Sequence, residues 1–170
     1  MILPRWIKSA GVFLMITGPI AVGGALIAQR YLPGPDQPVP FSHRIHVSTK
    51  QLNCFFCHPY AAKSSDPGIP PVKKCLLCHS VIATNFEPIS RIRHYYEAGK
   101  PIPWVRVSGV PDFVHFSHQP HLAKDVDCGE CHGDVAHMDR VKRVYDLNMD
   151  FCIDCHRRKN ASQNCYICHY

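Results

Sequence analysis

The residues best placed to do chemistry are the cysteines. The chain of 170 residues has ten, and they fall as Cys54/Cys57, Cys75/Cys78, Cys128/Cys131, Cys152/Cys155 and Cys165/Cys168. Each pair encloses two residues, and each second cysteine is followed directly by a histidine: His58, His79, His132, His156 and His169. No cysteine is left over. A two-residue gap sets both sulfurs on one edge of a turn, with the next imidazole beside them. CxxCH reads as a c-type haem attachment site, the thiols bonding the porphyrin edge and the histidine reaching the iron. Zinc ribbons take CxxC pairs two at a time, which would strand one of five. Disulfides give no reason for the histidines. The pattern predicts five covalently bound haem c groups.

An iron held from one side needs a ligand on its other face. Two imidazoles, or an imidazole and a thioether, make a low-spin electron carrier, and the thioether raises its potential. Outside the motifs stand His43, His46, His94, His115, His118, His121 and His137. His43/His46 and His118/His121 lie three residues apart just ahead of a motif, so on a helical turn both members can project and serve different haems. These four are the expected distal ligands. The fifth is left among Met149, which precedes Cys152 by one helical turn, then Met138 and His137 in the same inter-motif loop, with His94 and His115 ranked behind them.

The elements that must position these groups are short. Phe41-Ser42-His43-Arg44-Ile45-His46 recurs as Phe116-Ser117-His118-Gln119-Pro120-His121, and each copy is followed by two CxxCH motifs. An internal duplication accounts for this. It divides the haem domain, 41–170, into modules 41–79 and 116–170 joined by 80–115, with the last motif an addition to the second module. Val81 to Ala98 carries Ile82, Phe86, Ile89, Ile92 and Tyr96 near helical spacing, and Gly99, Pro101 and Pro103 should end that helix. Trp104 to Val107 alternates and should be extended. The expected fold is a mainly irregular, small-α multihaem cytochrome c domain. Porphyrin faces must supply much of its buried apolar surface.

Ahead of it, residues 31–40 form a Pro-rich linker with Pro33, Pro35, Pro38 and Pro40. Residues 1–30 read as a membrane anchor. Ala10 to Ala28 lacks charge and would span about 28 Å as a helix. Arg5 and Lys8 ahead of it favour a cytoplasmic N-terminus and a haem domain on the outer face of a bacterial inner membrane. Ala21/Ala25 and Gly24/Ala28 would admit a partner helix. The formal charge of +6 is not a nucleic-acid signal. Haem propionates would outweigh it, and no basic run is long enough.

Beyond the haem motifs, the stretches PFSHxxHV (40–47), GIPPxxxC (68–75), EPISRIRxxYEAGKPIPWVRV (87–107), PDFVxFSHxxH (111–121) and NMDFCIDCHR (148–157) resemble the pentahaem cytochrome c subunit of alternative complex III, a bacterial quinol oxidoreductase. The resemblance covers roughly residues 38–158. It supports His43, His46, His118 and His121 as distal ligands, and that family has methionines at the positions of Met138 and Met149. It implies a non-catalytic electron relay. The implied partners are polytopic quinol-binding membrane subunits, an iron–sulfur, molybdoenzyme-like subunit, and a monohaem cytochrome c or soluble copper-protein or cytochrome acceptor. The competing expectation is a membrane-anchored quinol dehydrogenase that oxidises quinol itself and feeds a periplasmic reductase.

Overall fold

The computed structural model describes residues 33–170. The expected anchor, 1–30, lies outside the described residues. The described part is built from short helices and irregular chain, with no strand among the described residues. A π-helical turn, Arg44–Thr49, is followed by α1 (Cys54–Cys57), α2 (Val72–His79) and α3 (Glu87–Glu97). Then come α4 (His118–Leu122), α5 (Gly129–His132), a 3-10 turn at Val135–His137, α6 (Met149–Arg158) and a final 3-10 turn at Cys165–Ile167.

The helix expected over 81–98 starts later, at Glu87. Ala83 takes a left-handed backbone, φ 54°, and Pro88 occupies the first turn, where its missing N–H costs nothing. Ile82 and Phe86 therefore stand outside the helix and exposed, and only Ile89 and Ile92 of the expected stripe are buried. Its C-terminus ends as the sequence indicates. Gly99, at φ 62°, lets Lys100 N–H reach the Tyr95 carbonyl and Gly99 N–H the Tyr96 carbonyl, both at 3.0 Å, a Schellman closure.

The apolar core of the described residues is small: Val39, Ile89, Ile92 and Ile102, edged by Val72, Leu76, Tyr95 and Trp104. α2 and α3 meet over it. The proline-rich segment contributes to it, for Val39 is 1% exposed. Arg91 donates to the Pro38 carbonyl at 3.0 Å, and Asp36 pairs with Arg140 at 2.8 Å. A Cβ on Gly34 would run into the Val141 carbonyl. Residues 34–40 thus lie along the domain. Trp104 to Val107 joins no ladder, because the Gln37 amide takes the place of a neighbouring strand. It donates to the Val105 carbonyl at 3.0 Å and accepts from Val105 N–H at 2.8 Å.

The duplicated halves interlock. The turn Arg44–Thr49 packs on Val135–His137, with Arg44 N–H bonded to the Met138 carbonyl at 3.0 Å and Ser48 to that of Ala136 at 2.7 Å. Asp139 takes both Ser42, at 2.6 Å, and Arg44, at 3.0 Å. These partners hold its carboxyl below the ordinary range, the Arg44 hydrogen bond first and that from Ser42 next.

Ile92→Ala should cost about 2–4 kcal/mol by leaving a cavity in this small core. Ile82→Ala, at an exposed position, should cost less than about 1 kcal/mol. Guanidinium unfolding of the two variants, followed by circular dichroism, measures the difference.

Candidate haem-binding sites

Each motif is wound into one helical turn. The N–H of the motif histidine bonds the carbonyl of the first cysteine at 2.9 Å for His58 and His132 and 3.0 Å for His169. In α2 and α6 the same span lies within the helix. A side-chain oxygen opens four of these turns. Asn53, Asp127 and Asn164 stand directly before the first cysteine and accept from Phe55, Gly129 and Tyr166 N–H at 2.8, 2.7 and 3.0 Å. Asn148 caps α6 through Phe151 N–H at 2.9 Å. Asn and Asp suit this role because their short side chains reach a backbone N–H two or three residues on. Sequence reasoning passed over these residues, though an Asn or Asp preceding three of the five cysteine pairs was the available signal.

The sequence treats the ten cysteines as equivalent attachment points, and the structure distinguishes them. No disulfide joins any two of the ten. In the first, third and fifth motifs the leading cysteine is the exposed one (Cys54, Cys128 and Cys165), and Cys57, Cys131 and Cys168 are half-buried. The second motif reverses this order. Cys78 is exposed and Cys75 half-buried, because Cys75 packs against the apolar core and Cys78 lies on the following turn of α2. The Cys78 carbonyl instead closes that helix, accepting from Val81 and Ile82 N–H at 3.0 and 2.9 Å. In the fourth motif neither thiol is exposed. Cys152 is near Cys168, and Cys155 is near Cys131. The Cys155 carbonyl accepts from Lys159 N–H at 2.9 Å at the end of α6.

The histidines share a second feature. Nδ1 lies within hydrogen-bond distance of a main-chain carbonyl in His46 (Ser42), His58 (Gly68), His79 (Ile82), His118 (Ser65), His121 (Ser117), His156 (Ser162) and His169 (Phe113). A carbonyl only accepts, so Nδ1 carries the proton and Nε2 presents its lone pair. That is how a metal-binding imidazole is normally oriented. His137 is held instead by the Asp134 carboxylate, at 2.7 Å. His43 Nδ1 is buried without a partner. Burial, then His58 and His46, lower its pKa to about 4. Burial, then His118 and His58, also lower that of His132. Both rings stay neutral near pH 7, as ligation requires.

The imidazoles meet in pairs, each a motif histidine with one from an HxxH turn. His46 and His79 have ring centres 6.1 Å apart, His118 and His132 6.3 Å, and His121 and His156 6.0 Å. His43 and His58 lie close enough to perturb each other. Two imidazoles on opposite faces of one iron put their centres roughly 6 Å apart, since each metal–nitrogen bond is about 2 Å and each ring centre lies about 1 Å beyond.

The fifth motif differs. His169 stacks on Phe113 at 5.9 Å, His115 on Tyr170 at 4.2 Å, and His115 N–H bonds the Cys168 carbonyl at 2.8 Å. Of the candidates for its distal ligand, His115 is thus the one in direct contact with the fifth motif, while Met149 lies on α6, the helix of the neighbouring Cys152, and is 63% exposed. Met138 and His137 belong to the segment packed on Arg44–Thr49.

These residues fit haem c. Burial is the first cause raising the thiol pKa of Cys57, Cys75, Cys128, Cys131 and Cys152, so they stay protonated. No three His, Cys, Asp or Glu side chains converge as ion ligands among the described residues, which a zinc site would need. Phe55, Phe56, Leu77, Tyr166 and Ile167 lie exposed inside the motifs, beside the places where a porphyrin would cover them. The small core requires such cover.

Comparison with known proteins agrees. Residues 114–170 match the family model described as "Cytochrome c7 and related cytochrome c". Over 161 residues the chain is 29% identical to the "Menaquinone reductase, multiheme cytochrome c subunit" of Nitratidesulfovibrio vulgaris, covering 79% of this chain and 77% of that one. The C-terminal third of the chain is thus similar to c-type cytochromes, and the chain as a whole to a multihaem subunit of a reductase, a likeness consistent with an electron-carrying role and with several haem c groups.

Purified from a host that attaches haem c, the denatured protein should keep its haem on a gel and expose no alkylatable thiol, Cys78 and Cys155 included. Free thiols measured by mass spectrometry would show motifs left unused.

Proposed function

We propose that this chain is the five-haem electron relay of a quinone-linked membrane oxidoreductase. The observation that carries the proposal is the pairing of motif imidazoles with HxxH imidazoles at 6.0–6.3 Å, joined to the likeness to a menaquinone reductase subunit over 79% of the chain. An iron held between two such ligands exchanges one electron with little change in its coordination.

The chain's own residues do the positioning. The cysteine pairs of the five motifs anchor the porphyrin edges. His43 faces His58, His46 faces His79, His118 faces His132 and His121 faces His156, each pair closing one iron to other ligands. Main-chain carbonyls fix the tautomer and swing of most of these rings. Met149 serves opposite His169, ahead of Met138 and His137, because its helix is the one beside the fifth motif. The thioether would give that site the highest potential for a given environment.

Residues 1–30 anchor the chain in the bacterial inner membrane with the haem domain outside. The partners are polytopic quinone-binding subunits, an iron–sulfur, molybdoenzyme-like subunit, and a monohaem cytochrome c or soluble acceptor. The resemblance of residues 87–107 and the other non-haem stretches to alternative complex III favours flow from quinol to a periplasmic acceptor. The relative's name supports the reverse flow, toward menaquinone.

His46→Ala and His121→Ala should each turn one haem high-spin and open to carbon monoxide. Met149→Ala should do the same, and Met138→Ala and His137→Ala should not. Electron paramagnetic resonance of the ferric proteins reads all five variants. A spectrum changed by Met138→Ala or His137→Ala but not by Met149→Ala would move the assignment.

The functional test is purification from native membranes in mild detergent. An iron–sulfur subunit and polytopic chains should comigrate. Addition of menaquinol should reduce the haems, and the rate of acceptor reduction against the rate of quinone reduction gives the direction. A cytochrome that runs alone and exchanges no electrons with a quinone would overturn the proposal.

A further inference from the structure

The motifs are separated along the chain in one order and touch one another in a different one. The second motif meets the first. His43 and His46, on one turn, face His58 and His79 respectively, and Lys74 of the second motif's helix lies 4.1 Å over the Phe56 ring inside the first.

The first motif in turn meets the third. The loop that follows His58 offers its Ser65 carbonyl to His118 Nδ1 at 3.1 Å, and His118 is the ring opposite His132. The Cys54 thiol lies close to that of Cys128. Although 74 positions separate these two cysteines in the numbering, the tertiary fold makes them neighbours.

The third meets the fourth through the duplicated turn. His118 and His121 face His132 and His156, and Lys159 at the end of α6 pairs with Glu130 inside the third motif at 3.1 Å. Cys131 of the third motif feels Cys155 and Cys152 of the fourth. The fourth meets the fifth through a short connection. His156 Nδ1 takes its carbonyl from Ser162, just ahead of Cys165, and the Cys168 thiol lies near that of Cys152.

Four adjacencies that join five sites, none used more than twice, form a single unbranched row. We infer that the motifs follow one another in space in the order second, first, third, fourth, fifth, so that the sites of Cys75/Cys78 and Cys165/Cys168 are the two termini. The inference rests on the five-haem reading and adds the order. The third motif is the midpoint. The seam between the duplicated halves therefore falls inside the row, between first and third, and is bridged by the Ser65–His118 bond.

The test uses the full-length protein in detergent, titrated stepwise with dithionite while the haem methyl resonances are followed by nuclear magnetic resonance. Methionine in place of a ligand histidine raises the potential of that haem, and its neighbours register the earlier change of charge. His118→Met should shift the third-motif haem upward and move the first- and fourth-motif haems, leaving the second and fifth in place. His46→Met should shift the second and move only the first. If His118→Met fails to load its haems, His121→Met asks the same of the fourth site, whose expected neighbours are the third and fifth. A larger response at the second or fifth haem in His118→Met, or at any haem other than the first in His46→Met, would overturn the order. So would fewer haem resonances than motifs. Dithionite needs no physiological donor, so failure of the quinone reading would leave this result standing.

Discussion

An imidazole whose Nδ1–H is tied to a main-chain carbonyl has one nitrogen left, and its direction is set by the backbone. Seven histidines in this chain are held that way. The donated bonds do two things at once. They choose the tautomer that leaves Nε2 free, and they fix the ring so that facing pairs fall at the separation one iron demands. Much of the architecture follows from keeping those carbonyls in place. Short turns rather than long helices carry the motifs, Asn and Asp caps close the turns, and loops from distant parts of the chain run past the rings. His43 and His132 are outside that set. The buried Nδ1 of His43 is without a partner, and burial and neighbouring imidazoles keep both rings neutral.

The economy of the core follows from the same constraint. Four buried hydrophobic residues among those described cannot offset the conformational entropy of so irregular a chain. Several of the exposed apolar side chains, Phe55, Phe56, Leu77, Tyr166 and Ile167 among them, lie inside the CxxCH turns. Haem would therefore be structural as well as functional: bound at these turns it would cover Phe55, Phe56 and Leu77, which stand exposed, and its thioethers would cross-link each turn. Val39, drawn in from the proline-rich segment, and Ile102 complete the one patch that packs without such help.

The duplication explains why two turns of the same sequence pattern do equivalent work. Each HxxH turn faces two motifs of its own half. The halves are not independent, however. Asp139 in the second binds Ser42 and Arg44 in the first, and Ser65 in the first orients His118 in the second. The fifth motif stands apart from this scheme. Its histidine stacks on Phe113 rather than on an HxxH imidazole.

Much of the site was legible in the sequence because its chemistry is local. CxxCH closes within one helical turn and HxxH within one turn more, so spacing alone picks out the five CxxCH turns and the four HxxH histidines that the structure sets near motif histidines. The stop of α3 at Gly99 was legible for the same reason, since a left-handed closure needs only the residue itself. The start of α3 was not, because periodicity ran on through Ile82 and Phe86 where Ala83 and Pro88 break it. Spacing also made the ten cysteines look alike. Only packing decided that Cys78 is open while Cys75 meets the core, and that Cys155 sits beside Cys131. Nor did the sequence reveal that 34–40 lies along the domain, that Gln37 stands in for a strand, or which motif neighbours which. Those are contacts between residues far apart in the chain, such as Gln37 with Val105, Lys159 with Glu130 and His118 with Ser65. No local spacing encodes such contacts. They are decided only when the irregular segments find one packing that satisfies their carbonyls and seats the rings together.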